Sequence, residues 1–212
     1  MRTADPVRCA ALYSAAFPNY PPLAATVDWL TGTWAIGACY KNDNRLYGAY
    51  PRGYLERVHS MFPEARRILH AFSGGLTPNA AIRAIDVGGG PLACTEAVCL
   101  VDMHGPEQGR YPTYQGDLLE FCDLEGHAGE FDLILADPPY SAEDAVKYDC
   151  PAPNRGAITA ALRKVAKPGG HLVWLDQVWP MHRKADWQCW GQIGLVRSTN
   201  HRVRLVSIFE AV

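Results

Sequence analysis

The sequence lacks the features that mark membrane, disulfide-rich and zinc-binding proteins. No stretch of about 18 consecutive apolar residues is present, so no segment is suited to span a bilayer as a helix. The seven cysteines are odd in number and scattered, and they form no Cys-x-x-Cys pair. We therefore expect free thiols in a reducing cytoplasm and no metal site. The first residues also show no clear charged, apolar and cleavage-site pattern of a secretory leader.

A strong net charge is missing as well. The chain carries 20 Lys and Arg against 22 Asp and Glu, for a formal charge of −2. A nucleic-acid-binding surface is usually basic, so any such binding must use a local patch or a partner. There is no internal repeat and no low-complexity tract. The 212 residues, of which 48% are hydrophobic, are enough to bury one substantial core.

The chain does contain short apolar runs that alternate with helical patterns. Leu55, Val58 and Phe62 follow Pro51 at helical spacing and predict an amphipathic helix. The residues ahead of it, 1–45, are rich in aromatics and irregular, and we interpret them as helical or loop-like. A second helix is predicted over residues 155–170, stopped by Pro168 and two glycines. Buried strands are predicted at 67–75, 97–104, 131–140 and 171–179, with 81–90 competing for the role of the first.

The tail of the chain predicts an antiparallel hairpin. Two apolar or alternating runs flank a turn at residues 198–200. Strands separated by helices and closed by a hairpin predict a three-layer α/β fold with a mostly parallel sheet. Ligands bind such sheets beyond the carboxyl ends of the strands, where the polar loops of this chain fall.

The apolar run Leu133-Ile134-Leu135-Ala136 stops at Asp137-Pro138-Pro139-Tyr140, which suits recognition of a planar amine. The Asp137 carboxylate and the Pro138 carbonyl can accept the two N–H bonds of an amino group. Pro139 restricts the backbone before it and so holds that carbonyl in place. The ring of Tyr140 can stack on a heterocycle, as a base taken out of a duplex requires. The same Asp-Pro-Pro pattern also occurs as ordinary loop chemistry.

These four residues resemble the motif of the nucleic-acid amino-methyltransferases, which modify adenine at N6 or cytosine at N4. The family motif is (Asp/Asn/Ser)-Pro-Pro-(Tyr/Phe/Trp), and all four positions match. Residues 167–174, KPGGHLVW, are similar to an architectural pattern of class I methyltransferases. The resemblance implies a Rossmann-like methyltransferase domain at 47–212 behind an N-terminal extension at 1–46, and S-adenosylmethionine as cofactor. Asp137 to Tyr140 are its implied catalytic residues.

The resemblance also implies a set of cofactor contacts. The loop after the first strand would approach the amino-acid part of the cofactor, the acid after the next strand would accept the ribose hydroxyls, and a third acid would meet the adenine amine. Tyr50-Pro51 lies where some relatives close over the methionine end, although the threonine of their pattern is missing. Each of these residues also fits a plain turn, cap or surface role. The implied set is Tyr50, Pro51, Phe72, Ser73, Gly74, Asp102, Asp117, Leu118 and Asp137.

A second glycine run, at 88–90, competes with Gly74-Gly75 for the cofactor loop. Too few residues separate it from Asp102 to hold a helix and a strand. We therefore prefer the loop at 72–75 and interpret 88–90 as an inserted turn.

The spacing leaves no room for a separate target-recognition domain between the glycine loop and Asp137. Compact phage and bacterial DNA adenine methyltransferases share this order, so DNA is preferred over RNA as the partner. Residues 141–155 are expected to cover the target base, with Tyr140, Lys147 and Arg155 as substrate contacts. Two further aromatic or basic clusters are candidates for nucleic-acid binding: Trp179, His182, Arg183, Lys184 and Trp187, and Arg197, His201, Arg202 and Arg204.

Several alternatives stay open. The substrate class includes RNA, at adenine N6 or guanine N2, and a protein or small-molecule amine. The chain could also be a catalytically silent methyltransferase-like subunit that binds a partner, or form a homodimer. An intact Asp137 argues against a silent subunit, which has no use for an amine acceptor.

Overall fold

A computed structural model of the chain describes residues 5–37, 50–87, 97–197 and 202–212. These residues form six α-helices and nine strands. The helices are α1 (Pro6–Ala16), α2 (Tyr54–Met61), α3 (Pro78–Val87), α4 (Leu118–Cys122), α5 (Ala142–Lys147) and α6 (Arg155–Val165). The strands are β1 (Ala24–Ala25), β2 (Leu30–Ile36), β3 (Arg67–Ala71), β4 (Ala97–Asp102), β5 (Tyr114–Gln115), β6 (Phe131–Ala136), β7 (Ala166–Asp176), β8 (Trp187–Arg197) and β9 (Val203–Ala211).

All nine strands belong to one sheet, in the order β1-β2-β8-β9-β7-β6-β3-β4-β5. The centre, β7-β6-β3-β4-β5, is parallel throughout. Strand β9 inserts between β7 and β8 and runs antiparallel to both. The predicted sheet, mostly parallel with a C-terminal antiparallel hairpin, is therefore confirmed. The carboxyl ends of β3, β4, β6 and β7 meet at one edge, which is the edge that carries the candidate site.

Apolar side chains cover both faces of the central strands, which explains why these strands are continuous apolar runs. In β6, Leu133 and Leu135 point into a core beneath α1, α2 and α3. Ile134 and Ala136 point to the other face, into a core beneath α4 and α6. Because neighbouring strand residues alternate between faces, one short run serves two cores and fixes three layers.

Polar caps set where the helices begin. Asp5 accepts a hydrogen bond from the Val7 amide at the start of α1, next to Pro6 in its first turn. Asn154 does the same for Ala157 at the start of α6. Such caps satisfy amide groups that have no partner inside the helix. The α6 cap also fixes where Arg155 enters the site.

The structure corrects three sequence interpretations. The N-terminal residues are not merely helical or loop-like, because β2 pairs in parallel with β8 from Leu30 to Ile36. Residues 81–87, a competing strand candidate, belong to helix α3. Helix α6 ends at Val165, before Pro168, and the KPGG segment already belongs to β7.

Some predictions fall outside the described residues. The boundary at residue 46 between the N-terminal extension and the methyltransferase domain lies there, as do the glycines 88–90 and the hairpin turn at 198–200. In the part of the chain that the structure describes, no helix has the length and apolarity needed to cross a membrane.

Candidate active site

A cavity of about 730 Å³ opens at the carboxyl edge of the parallel strands. It gathers residues that are far apart in sequence: the loop after β3, the end of β4, the start of α4, the segment after β6 and the β8–β9 hairpin. Among the catalytic, cofactor and substrate residues proposed from sequence, those that line it are Phe72, Gly74, Asp102, Asp117, Leu118, Asp137, Pro138, Pro139, Tyr140 and Lys147. The cavity is therefore large enough, and polar in the right places, for a nucleoside-sized ligand beside a second one.

The corner formed by Asp137, Pro138, Pro139 and Tyr140 follows β6 directly. The Tyr140 hydroxyl donates a hydrogen bond of 2.6 Å to Asp137 Oδ1. The Arg204 guanidinium lies over the Tyr140 ring, 4.5 Å from its centroid. Acid and aromatic ring are thus held together, with a cation on one face of the ring.

Burial controls the charge of Asp137. Desolvation raises the pKa of its carboxyl to about 6, although the Tyr140 hydrogen bond and Arg204 act to lower it and Asp176 acts to raise it. Desolvation disfavours the charged form, whereas hydrogen bonds to the carboxylate favour it. The group is therefore mainly ionised at neutral pH and can act as a hydrogen-bond acceptor.

An ion pair between Arg155 and Asp176 supports the corner. The Arg155 Nε and a terminal nitrogen donate to Asp176 at 2.7 and 3.1 Å, and the same terminal nitrogen donates to the Tyr140 carbonyl at 2.8 Å. Asp176 is fully buried and also accepts from the Trp174 indole at 3.1 Å. Arg155 is not among the residues that line the cavity, and its role as a substrate contact stays a prediction.

The loop after β3 turns sharply. Phe72 adopts a left-handed backbone with φ of 61°, which is uncommon for a residue other than glycine. Gly74 follows with φ of 57°, which glycine adopts without strain. The Ser73 amide donates to the Val101 carbonyl at 3.0 Å, which ties the loop to β4. Phe72 and Gly74 reach the cavity, whereas the Ser73 side chain is buried beneath it.

Asp102 joins the loop after β3 to the end of β4. Its Oδ2 accepts from the Gly74 amide at 2.8 Å, and its Oδ1 accepts from the His104 amide at 3.0 Å. Arg110 lies 3.5 Å from the same carboxylate. Each carboxylate oxygen has two acceptor sites, so capacity for a ligand hydroxyl remains.

Asp117 caps helix α4. Its Oδ1 accepts from the Leu119 amide at 2.6 Å, so the expected turn and cap role is real. The residue still lines the cavity, and Leu118 beside it is buried in the core and touches the cavity wall. The start of α4 therefore presents an acid and an apolar side chain to the cavity.

The segment after Tyr140 forms a wall of the cavity. Ser141 caps the short helix α5 by accepting from the Asp144 amide. Lys147 is exposed and pairs with Asp144 at 2.9 Å. The Tyr148 carbonyl lies 2.7 Å from His104 Nε2, so the wall is held against the end of β4.

Tyr50 and Pro51 lie outside the cavity. Tyr50 stacks on Tyr54, with ring centroids 5.5 Å apart, and Pro51 is buried. Burial, together with the charges of Asp137 and Asp102, raises the pKa of the Tyr50 hydroxyl well above its usual value. The charges of the site therefore act on Tyr50, although Tyr50 is not among the residues that line the cavity.

Sequence reasoning missed several lining residues. Arg110 and Tyr148 carry no motif, and only the folded chain brings them to the cavity. The hairpin arginines Arg197, Arg202 and Arg204 were noted as a basic patch and do line it. In the other aromatic cluster Trp187 is buried in the core, whereas Trp179 is half exposed and stacks on His182. His201 lies outside the described residues.

No protein-family model matches the sequence, and a search of curated proteins finds no relative. Solved structures do resemble the fold. TrmN from Thermus thermophilus matches with a TM-score of 0.51 and 16% identity, over 78% of this chain and 50% of that one. A TehB-like SAM-dependent methyltransferase from Corynebacterium glutamicum ATCC 13032 matches with a TM-score of 0.47 and 14% identity, over 76% and 88%. The N-methyltransferase NodS from Bradyrhizobium japonicum WM9 matches with a TM-score of 0.46 and 16% identity, over 74% and 92%.

At these identities the likeness shows the fold alone. The chain has the Rossmann-like methyltransferase fold that its sequence predicts, and it spans half the length of the TrmN chain. Among the described residues no group of His, Cys, Asp and Glu is arranged to hold a metal ion.

Proposed function

We propose that this protein is an S-adenosylmethionine-dependent methyltransferase that acts on an exocyclic amino group of a nucleic-acid base, with adenine N6 in DNA as the leading substrate. The observation that carries the proposal is that the Asp137–Tyr140 corner and the glycine loop at Phe72–Gly74 open onto one cavity. A donor bound at the loop and a base held at the corner would be neighbours. A reducing, cytoplasmic setting is part of the proposal, because the seven cysteines are odd in number and scattered along the sequence.

The cofactor side of the cavity fits S-adenosylmethionine in its chemistry. Gly74 brings backbone close to the cavity, and Asp102, Asp117 and Asp137 place carboxylates around it. Carboxylates complement a positively charged sulfonium, and Asp102 keeps acceptor sites for ribose hydroxyls. When bound, the cofactor supplies an electrophilic methyl group.

The residues of the Asp137–Tyr140 corner bind the substrate amine. The Asp137 carboxylate and the Pro138 carbonyl accept the two N–H bonds and so orient the nitrogen lone pair toward the donor. Alignment of this kind, with the charges already in place, is what a direct transfer requires. As the nitrogen becomes positively charged, the ionised Asp137 stabilises it and is placed to take up the proton.

Two side chains adjust when a base enters. The Tyr140 hydroxyl now occupies Asp137 Oδ1, and Arg204 covers one face of the ring. We propose that the base stacks on the Tyr140 ring while the amine shares Asp137 with the hydroxyl. Lys147, which is exposed at the cavity rim, remains a proposed phosphate contact.

Methyl transfer from tritiated S-adenosylmethionine to DNA and to RNA tests the proposal. We expect the wild-type protein to label one nucleic acid, and Asp137→Ala to label none while it binds S-adenosylhomocysteine as tightly as the wild type. Asp102→Ala should instead weaken cofactor binding. Label on RNA alone would select the RNA enzyme, with adenine N6 and guanine N2 as its candidate positions. Label on neither, with cofactor bound, would refute a nucleic-acid substrate, and no cofactor binding at all would favour a silent subunit.

A further inference from the structure

The β8–β9 hairpin brings three arginines to the cavity that holds the corner. Leu195 pairs with Arg204 across the two strands, and the Arg197 amide donates to the Arg202 carbonyl at 3.3 Å. Residues directly opposite each other, and residues two apart along a strand, share one face of a hairpin. Arg197, Arg202 and Arg204 therefore lie on one face, and all three line the cavity.

Arg204 is the member closest to the proposed chemistry. Its guanidinium covers the Tyr140 ring, and its charge lowers the pKa of Asp137. A cation–π contact usually stabilises less than the stacking of a base on the same aromatic ring. Arg204 therefore occupies the position where the substrate would arrive, and it must shift when a base stacks there.

Arg197 and Arg204 are incompletely satisfied. Neither forms an ion pair with a carboxylate within the described part of the chain, and the Nε atom of each is buried without a hydrogen-bond partner there. Buried polar atoms are nearly always paired, so these two Nε atoms have hydrogen-bonding capacity left for a ligand. Two such groups, half-buried and on the same face of the hairpin where it lines the cavity, are what an anionic ligand would complete.

Resting on the function proposed above, we infer that Arg197 and Arg204 form a binding site for the phosphate of the nucleotide whose base enters the Asp137–Tyr140 corner. The planar fork of arginine matches phosphate oxygens with two parallel hydrogen bonds. Such a site supplies locally the positive charge that the whole chain lacks, since its net charge is −2. Phosphate binding would draw Arg204 off the Tyr140 ring at the moment the base needs that face.

The test measures binding of short single-stranded DNA and RNA oligonucleotides across a salt series, for wild type, Arg197→Gln and Arg204→Gln. Each variant should bind roughly tenfold more weakly, and the slope of log K against log salt should fall by about 0.7 for each phosphate that the protein no longer neutralises. Binding of S-adenosylhomocysteine should not change. Arg8→Gln is the matched control, because Arg8 pairs with Glu64 on the exposed surface and is remote from this cavity.

Binding of nucleoside monophosphates and of the matching nucleosides shows whether the phosphate belongs to a free nucleotide or to a polymer. If a free nucleotide is the ligand, the monophosphate binds better than the nucleoside in wild type, and the Gln variants remove that difference. If only the oligonucleotides respond, the site binds a phosphate of a polymer. Either result supports the inference. Thermal unfolding checks that the variants fold, and Arg197→Lys and Arg204→Lys should restore most of the salt slope.

Two results would overturn the inference. An unchanged salt slope in Gln variants of an enzyme that binds cofactor and methylates nucleic acid would show that the arginines bind no phosphate. Loss of S-adenosylhomocysteine binding in parallel with oligonucleotide binding would assign them to the cofactor. Failure of the proposed function is distinct, because then even the wild type would transfer no methyl group to nucleic acid.

Discussion

At the scale of single residues, Asp137 is the group on which the proposed chemistry depends. Its pKa of about 6, against an ordinary value of 3.8, comes mainly from burial. In the proposed mechanism the ionised form accepts an amine N–H bond and balances the positive charge that develops on the nitrogen, so protonation removes that charge and turns one acceptor oxygen into a donor. We predict that kcat/KM falls as the pH drops through about 6, which a pH–rate profile of methyl transfer measures. Asp137→Asn, whose amide oxygen can still accept an N–H bond but does not titrate, should be less active and should show no acidic limb near pH 6. A wild-type profile that stays flat from pH 7 to 5 would contradict this role.

Tyr140 supports Asp137 in two ways that substitution can separate. The ring would stack on the base, and the hydroxyl hydrogen bond favours the charged carboxylate. We predict that Tyr140→Phe keeps substantial activity but raises the pKa of Asp137, so that the acidic limb of the pH profile moves to higher pH. Tyr140→Ala should lose far more, because the stacking surface is gone.

The two Tyr140 profiles are compared with Tyr148→Phe as a control, since Tyr148 lines the same cavity but donates no hydrogen bond to Asp137. A phenylalanine variant as inactive as the alanine one would show that stacking is not what the ring provides.

The sequence predicted many of the residues that line the candidate cavity. The Asp137–Tyr140 motif, Gly74 and Asp102 all meet at the cavity, because the carboxyl ends of parallel strands share one edge. The side-chain ion pairs and hydrogen bonds around the cavity were not predictable from the sequence. Arg155 turns to Asp176, 21 residues further along, and no local signal reveals such a contact before the fold brings the two together.

At the scale of elements, hydrophobic runs predicted the central strands well, and the N-terminal segment least well. Strand β2 alternates buried and exposed residues, but its aromatic surroundings and prolines obscured that period. Its identity depends on pairing with β8, which lies more than 150 residues away in sequence. Helix α3 shows the reverse error, since an apolar run of that length suits a strand or a helix equally.

Substitution of Trp34 tests how much the packing of β2 contributes to stability. It is 1% exposed, stacks on Tyr13 at 5.8 Å and meets the edge of Tyr54 at 6.2 Å. We predict that Trp34→Ala lowers the free energy of unfolding by about 3–5 kcal/mol, measured by urea denaturation. Val27→Ala, at a side chain that is 77% exposed, should change it little. Equal effects of the two substitutions would mean that the N-terminal strand packs only loosely.

At the scale of the whole molecule, we predict that the buried histidines lower stability in acid. Burial lowers the pKa of His59 and His171 to about 4 and that of His70 to about 3, from an ordinary 6.5. The unfolded chain therefore binds protons at these sites over a range where the folded chain does not, so stability falls as pH drops from 6.5 to 4. The raised pKa of Asp137 acts in the opposite direction, but one carboxyl cannot offset three imidazoles.

Thermal unfolding between pH 7 and 4 checks this prediction. The melting temperature should decrease steadily below pH 6.5, and His70→Phe, which replaces one buried ring by another that cannot take up a proton, should reduce the dependence. If the variant lost stability with pH as steeply as the wild type, the buried imidazoles would not be its cause.

The fold brings the acidic corner at Asp137–Tyr140 and the glycine loop at Phe72–Gly74 to one cavity. Mass spectrometry of nucleosides, from DNA and RNA incubated with the protein and labelled S-adenosylmethionine, tests most directly whether that cavity methylates a base amine. We predict one extra methyl group on an exocyclic nitrogen in the wild-type sample and none with Asp137→Ala. A methyl group on a ring carbon or a ribose oxygen, or on no nucleoside at all, would contradict the assignment.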